Sequence, residues 1–151
     1  MTIKQASIHD NEDLTEITKK SKAYWGYSDE QIALWSEILT ITKEYIETYS
    51  IYKLVVDAKI IGYYSFIYEN GHTVKLDNLF VLPDFIGKGF GKILLNDFLL
   101  HIHNKGIKKV ILQSDPNAEM FYKRFGFIKT GQIETSIKDR YLPVMELNIT
   151  G

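Results

Sequence analysis

The stretch Leu79-Phe80-Val81-Leu82-Pro83-Asp84-Phe85-Ile86-Gly87-Lys88-Gly89-Phe90-Gly91-Lys92 is the most informative part of the sequence. Its apolar first part, which ends at Pro83, is typical of a strand, and the apolar residues of segment 93–102 recur at helical spacing. The glycines between them leave several backbone amides open to an anion, because glycine has no β-carbon. The N-terminus of the helix adds partial positive charge, and Lys88 and Lys92 add full charges. The stretch therefore predicts a strand–loop–helix site for a pyrophosphate, and the alternative is a purely structural turn.

Two better-known phosphate-binding loops do not fit this spacing. The P-loop needs a glycine five residues before its Gly-Lys pair and a serine or threonine after it, but Ile86 and Ile93 occupy those places. The dinucleotide-binding fingerprint needs its third glycine three residues after the second, whereas Gly91 follows Gly89 by two. The sequence therefore favours neither a nucleoside triphosphatase nor a Rossmann enzyme.

Periodicity in the rest of the chain predicts helices and strands in a mixed order. The predicted strands cover residues 3–7, 51–56, 60–68, 74–82, 109–113, 128–134 and 141–149. The predicted helices are one that Asp10 caps, one that starts at Ser28 and continues through 32–39, one over 43–48, one that ends near Gly106, and one from Asp115 to Arg124. This order predicts a mixed α/β sheet with a parallel crossover at its centre, in a single domain over residues 1–151.

Composition limits the class of protein and its partners. The 151 residues carry a formal net charge of −1 and include no cysteine, so disulfides, thiolate metal sites and cysteine nucleophiles are excluded. The balance lacks the excess of basic residues that is typical of nucleic-acid binding, so we expect no nucleic-acid partner. The sequence has neither a signal-peptide core nor an apolar run of membrane-span length. We therefore expect a cytoplasmic protein without a membrane partner, and a homodimer stays open.

Three motifs resemble those of the GNAT (Gcn5-related N-acetyltransferase) superfamily, and the resemblance covers essentially the whole chain. They are residues 79–83, the loop over residues 86–92 (the glycine loop), and the segment from Asn117 through Tyr122 into Phe125-Gly126-Phe127. The family's loop pattern, Gln/Arg-x-x-Gly-x-Gly/Ala, is met at Gly89 and Gly91, but Ile86 stands at its first position. The resemblance implies a mixed, mostly antiparallel sheet with helices on both faces and a splayed parallel strand pair at the cofactor site. It also implies transfer of an acetyl group from acetyl-CoA to a primary amine of a small molecule or protein, without a metal.

The resemblance also implies roles for individual residues at the cofactor. The pantetheine arm would pair with the backbone of Leu79, Phe80 and Val81, and the pyrophosphate would lie on the loop formed by Ile86, Gly87, Lys88, Gly89, Phe90, Gly91 and Lys92. Asn117 resembles the family residue that hydrogen-bonds the pantetheine arm, and its alternative role is to satisfy backbone groups at a helix start. Tyr122 resembles the tyrosine that protonates the departing thiolate, which suits a phenol with a pKa near 10, and its alternative role is core packing.

The sequence says less about the residues that would bind and deprotonate the acceptor amine. An amine must lose a proton before it attacks. The resemblance implies a carboxylate base on the strand that contains Asp77, so Asp77 is the candidate base, with a solvated or paired carboxylate as the alternative. Tyr24, Trp25 and Tyr27 are expected to line the acceptor pocket, and core or interface packing is equally compatible with them. Two other functions stay open: a non-catalytic acyl-CoA-binding or sensing module, and a structural protein whose glycines only form a turn.

Overall fold

The protein is represented by a computed structural model that describes residues 1–135, 137 and 139–149. Within these residues the strands are β1 (Thr2–Gln5), β2 (Ser50–Val56), β3 (Lys59–Tyr68), β4 (Thr73–Val81), β5 (Lys109–Gln113), β6 (Ile128–Glu134) and β7 (Tyr141–Asn148). The helices are α1 (Asn11–Tyr24), α2 (Asp29–Leu34), α3 (Ser36–Leu39), α4 (Lys43–Thr48), α5 (Phe90–Ile102) and α6 (Glu119–Arg124). Turns of 3₁₀ geometry cover Ile8–Asp10, Pro83–Phe85 and Pro116–Ala118.

The strands form a mixed sheet in the order β1-β2-β3-β4-β5-β7-β6. The pairs β1–β2, β2–β3, β5–β7 and β6–β7 are antiparallel, and β4 runs parallel to β5. The parallel register joins Thr73–Lys75 to Lys109–Ile111, and β4 continues beyond it to Val81. The predicted mixed sheet with one parallel crossover is therefore confirmed.

By its internal contacts the chain divides into two compact units. The first contains Met1–Phe66 and Asn78–His101, and the second contains Ile67–Asp77 and the chain from Ile102 onward. Strand β4 contributes its first half to the second unit and its last residues to the first. The prediction of one acetyltransferase domain over residues 1–151 stays a prediction.

In the first unit, helices cover both faces of β3. The hydroxyl groups of Tyr63 and of Thr18 on α1 lie 2.6 Å apart, whereas the Tyr64 hydroxyl donates to Asp97 on α5 at 2.7 Å. Successive side chains of a strand point to opposite faces, so α1 and α5 lie on opposite sides of β3. Both tyrosines are fully buried, and this confirms the predicted arrangement of helices on two faces.

Close backbone approach fixes the end of β4 within this unit. A β-carbon at Gly62 of β3 would lie 2.8 Å from the Phe80 carbonyl oxygen and 3.2 Å from Leu94 of α5. Only glycine therefore fits at this position, where β3, the end of β4 and α5 meet. The strand and the helix that flank the glycine loop are held against the same point of β3.

The second unit has its own core beneath β5 and β7. Its buried hydrophobic side chains are Val74, Leu76, Ile102, Ile107, Val110, Leu112, Tyr122, Phe127 and Met145. Most of them lie on strands, and Tyr122 adds the α6 contribution. Among the described residues, no helix is both long and apolar enough to span a bilayer.

The prediction that the Asp10 side chain caps the first helix is wrong. Asp10 occupies the N-cap position of α1 without a capping hydrogen bond. Its carboxylate instead accepts the Ser7 amide at 2.8 Å and the Lys53 ammonium at 2.7 Å. Ser7 therefore belongs to the turn before α1, and the predicted strand over 3–7 ends at Gln5.

The single helix predicted from Ser28 through 32–39 is also wrong, because the chain forms α2 and α3 there. Ser28 does cap the start, since its hydroxyl accepts the Gln31 amide at 3.1 Å. Trp35 then leaves helical geometry, and its ring packs edge-on against Tyr27 with the centroids 5.0 Å apart. Leu34 and Ile38 are 78% and 80% exposed, so their helical spacing does not form one buried face.

Candidate active site

The glycine loop links β4 to α5 through backbone conformations that glycine adopts readily. Gly87 and Gly89 have φ angles of +83° and +86°, in the left-handed region that disfavours residues with a β-carbon. A β-carbon at either position would meet no atom within 4 Å among the described residues. Glycine is therefore required here by backbone conformation, and the space above the loop is open.

The loop presents a run of amides without acceptors. The Ile86 amide donates to the Pro83 carbonyl at 3.2 Å, and the next backbone bond of the loop runs from the Ile93 amide to the Gly89 carbonyl at 3.1 Å. Between them, the amides from Gly87 to Lys92 form no hydrogen bond to the described part of the chain. Amides that a ligand could use therefore begin at Gly87, one residue after Ile86.

The charge around these amides favours an anion. They lie at the N-terminus of α5, where the helix dipole places partial positive charge. Lys88 and Lys92 are exposed beside them, and the Lys88 ammonium lies 5.6 Å from the Phe85 ring centroid. Several convergent N–H donors with two cations suit a group of high negative charge such as a pyrophosphate.

Helix α1 holds the end of β4. The buried Ser21 hydroxyl donates to the Val81 carbonyl at 2.7 Å. The Phe80 ring packs against Tyr63 with centroids 6.0 Å apart, and the Lys22 ammonium lies 5.7 Å from its centre. These contacts fix the backbone that leads into the glycine loop.

A polar cluster that sequence reasoning missed joins β4 to β3 and α4. The Asn78 side-chain nitrogen donates to the Ser65 hydroxyl at 3.0 Å and to the Tyr45 hydroxyl at 3.2 Å. These two hydroxyls lie 2.9 Å apart, and Ser65 is fully buried. The available signal is a serine within the mostly apolar strand β3 and an asparagine beside the apolar end of β4, but no local pattern links them to Tyr45 on α4.

The predicted acceptor-pocket residues lie at the C-terminal end of α1 and directly after it. Gly26 has a φ angle of +92° and turns the chain after the helix. Tyr24 and Trp25 remain 51% and 42% exposed, with their rings edge-on at 5.0 Å, whereas Tyr27 packs on Trp35. Two aromatic rings are therefore available to a ligand, and their role in acceptor binding stays a prediction.

Asp77 lies in the second unit and is paired. The Lys75 ammonium is 3.7 Å from its carboxylate, and both side chains are partly exposed. Asp77 and Lys75 lie two residues apart on β4 and therefore share one face of the strand. The carboxylate can accept a proton, and its assignment as the general base stays a prediction.

Asn117 takes part in a local network at the start of the turn before α6. Its backbone amide and its side-chain nitrogen both donate to one oxygen of Asp115, at 2.9 Å and 2.8 Å. The other Asp115 oxygen accepts from Arg140 at 3.1 Å in a largely buried ion pair. Asp115 caps the 3₁₀ turn Pro116–Ala118, whereas the helix predicted from Asp115 begins as α6 at Glu119. Asn117 has a local role alongside its predicted pantetheine contact.

Tyr122, on α6, packs against aromatic rings. Its ring meets Phe121 and Phe127 edge-on, with centroids 5.1 Å and 5.5 Å apart, and the residue is 7% exposed. Burial raises the pKa of the phenol above its ordinary value, so the group is protonated at neutral pH. Its hydroxyl forms no hydrogen bond to a described residue. Tyr122 thus packs as a core residue and carries a transferable proton.

The predicted residues fall into both units. The glycine loop, residues 79–81 and the aromatic segment 24–27 belong to the first, and Asp77, Asn117 and Tyr122 belong to the second. Each group is ordered by contacts within its own unit.

Comparison with known proteins decides the family. The profile of the acetyltransferase (GNAT) domain matches residues 25–143, which is most of the chain. The chain belongs to the GNAT acetyltransferase family. The match includes the glycine loop, β4 and α6, so the elements that carry the predicted site are those of a GNAT domain.

Two curated relatives are N-acetyltransferases by name. The GNAT chain is 29% identical to the uncharacterized N-acetyltransferase ycf52 of Pyropia yezoensis over 52% of its own length and 45% of that protein. It is 29% identical to the [ribosomal protein bS18]-alanine N-acetyltransferase of Haemophilus influenzae over 64% of each chain. The matches thus span less than half of the first relative and just under two thirds of the second.

A solved structure shares the fold. The paia N-acetyltransferase from Thermoplasma acidophilum, in complex with coenzyme A, superposes with a TM-score of 0.79 and 23% identity, over 99% of this chain and 100% of that one. This similarity confirms the predicted GNAT-like architecture.

Proposed function

We propose that this GNAT chain is an N-acetyltransferase that transfers the acetyl group of acetyl-CoA to a primary amine. The observation that carries the proposal is the run of amides from Gly87 to Lys92 at the N-terminus of α5, in a chain of this family. The coenzyme A bound in the similar Thermoplasma acidophilum structure supports the choice of cosubstrate.

The cosubstrate is held mainly by backbone groups in this proposal. The pyrophosphate accepts the loop amides, and Lys88 and Lys92 balance its charge. Ile86 removes a polar side chain at the first position of the family pattern, but the amides after it do not depend on that side chain. The backbone of Leu79 to Val81, beyond the last β4 residue paired with β5, offers groups for the pantetheine arm.

The reaction is a direct transfer in a ternary complex. The neutral amine attacks the thioester carbonyl carbon, a C–N bond forms, and the C–S bond then breaks. A backbone amide near Leu79-Phe80 stabilises the negative charge on the carbonyl oxygen. Tyr122 donates its proton to the departing thiolate, and Asp77, directly or through water, takes the proton that the amine loses.

A panel of amines tests the proposed activity. Purified protein with acetyl-CoA should release free CoA thiol with at least one of four acceptors: a hexapeptide beginning with alanine, Nα-acetyl-lysine amide, spermidine and kanamycin. The alanine peptide is included because the Haemophilus influenzae relative acts on a ribosomal-protein alanine by its name. Thiol release that exceeds the acceptor-free rate is the expected result. CoA binding without any such release would support the non-catalytic acyl-CoA-binding alternative.

A pair of glycine variants tests whether the loop amides from Gly87 to Lys92 bind the pyrophosphate. Gly89→Val should weaken CoA binding by about 10- to 100-fold, because it blocks or distorts charge-assisted hydrogen bonds worth roughly 1.5–3 kcal/mol each. Gly106→Val is the matched control, since Gly106 also has a left-handed φ angle, +74°, and open space at its β-carbon. Both variants should lose similar stability, and only Gly89→Val should change the CoA dissociation constant measured by calorimetry. Normal CoA affinity in a folded Gly89→Val protein would show that the pyrophosphate does not bind to this loop.

Removal of one hydroxyl tests the general acid. Tyr122→Phe should lower kcat by about 10²–10⁴-fold with little change in the acetyl-CoA KM, because it removes the proton and keeps the packed ring. Tyr141→Phe removes a hydroxyl from a more exposed tyrosine in the same unit and should leave kcat unchanged. Since burial raises the Tyr122 pKa, its deprotonation should not reduce the wild-type kcat below about pH 10. An unchanged kcat in folded Tyr122→Phe would leave this residue a packing role alone.

A further inference from the structure

The cluster of Asn78, Tyr45 and Ser65 is a closed triangle of hydrogen bonds in the first unit. Its three sides measure 3.0 Å, 3.2 Å and 2.9 Å between the side-chain nitrogen and the two hydroxyl oxygens. Ser65 is fully buried on β3, on the same face as the buried ring of Tyr63. Polar side chains in such surroundings are costly unless they are satisfied, so the triangle defines one orientation of the amide.

Counting hydrogens shows which end of Asn78 faces the hydroxyls. If the amide oxygen accepted from both hydroxyls, their two protons would be used, and the Tyr45–Ser65 contact would have no hydrogen. If the amide nitrogen donates to both, one hydroxyl can donate to the other and all three sides are satisfied. The triangle therefore fixes the Asn78 nitrogen inward and turns its carbonyl oxygen away from both partners.

The Asn78 carbonyl oxygen has no donor among the described residues. Every fully buried side-chain nitrogen or oxygen in this part of the chain has a partner, so the free oxygen of partly exposed Asn78 reaches accessible space. It belongs to the residue next to Leu79, where the proposed reaction places the thioester. An oriented acceptor at this point suits an incoming N–H group.

We propose that the Asn78 side-chain oxygen binds the attacking amine by accepting its retained N–H, and that Tyr45 and Ser65 position this oxygen. The inference rests on the proposed acetyltransferase function. Asp77 and Asn78 are successive residues of β4 and point to opposite faces, so the proton reaches Asp77 through water. A neutral primary amine uses its lone pair for attack, gives one hydrogen to this water and keeps one hydrogen, which can bond to Asn78 throughout. A secondary amine has a single N–H, which it must lose, so the site favours primary amines.

The test compares each of the four panel amines with a counterpart in which every primary amine carries one methyl group. In wild type, kcat/KM should favour the primary amine. In Asn78→Leu this preference should fall by about tenfold, the equivalent of roughly 1.4 kcal/mol for one hydrogen bond, and the acetyl-CoA KM should not change. Asn78→Asp keeps an acceptor oxygen and should retain most of the wild-type preference. Asn96→Leu, at an exposed position of α5, is the matched control and should behave as wild type.

Tyr45→Phe tests the positioning role and guards against misfolding of Asn78→Leu. It removes one corner of the triangle and leaves the Asn78 oxygen, so the KM for the amine should rise about threefold without a change in the acetyl-CoA KM. A folded Asn78→Leu, judged by melting, with undiminished preference for primary amines would overturn this inference. So would a Tyr45→Phe protein with an unchanged amine KM. Wild type that turns over none of the panel amines would instead overturn the proposed function, and this inference with it.

Discussion

The left-handed backbone at Gly87 and Gly89 is the constraint on which the proposed chemistry depends. It turns the chain between β4 and α5 so that the amides from Gly87 to Lys92 stay without partners in the described protein. Unpaired amides are tolerated where water or a ligand can reach them, and the loop is exposed. An ordinary residue at either glycine would add strain of about 1–2 kcal/mol, so the open conformation is specified by sequence.

The loop works only if the strand and helix beside it are held in place. Gly62 lets β3 approach both the Phe80 carbonyl and Leu94, and Ser21 ties α1 to the Val81 carbonyl. The hydrogen bonds from Asn78 to Tyr45 and Ser65 add a partly buried polar contact three residues before Val81 on β4. These contacts of the first unit thus hold in place the backbone that would bind the cosubstrate and the amine.

The sequence predicts those features that depend on local signals. The periodicity of apolar residues locates the strands, and three glycines mark the loop between β4 and α5. Local signals gave the wrong prediction at Asp10 and at Trp35. The Lys53 ammonium competes for the Asp10 carboxylate, and Tyr27 packs on the Trp35 ring. The Asn78 triangle could not be foreseen, since its members are far apart in sequence and meet only in the folded chain.

The central claim is that the pyrophosphate of CoA lies on the amides that follow Ile86. Titration of ¹⁵N-labelled protein with CoA, and separately with pantetheine, which lacks the phosphates, tests it most directly in ¹H–¹⁵N correlation spectra. The account predicts that CoA shifts the amide resonances of Gly87, Lys88, Gly89 and Gly91, and that pantetheine leaves them in place. Saturating CoA binding with these four resonances unmoved would contradict it.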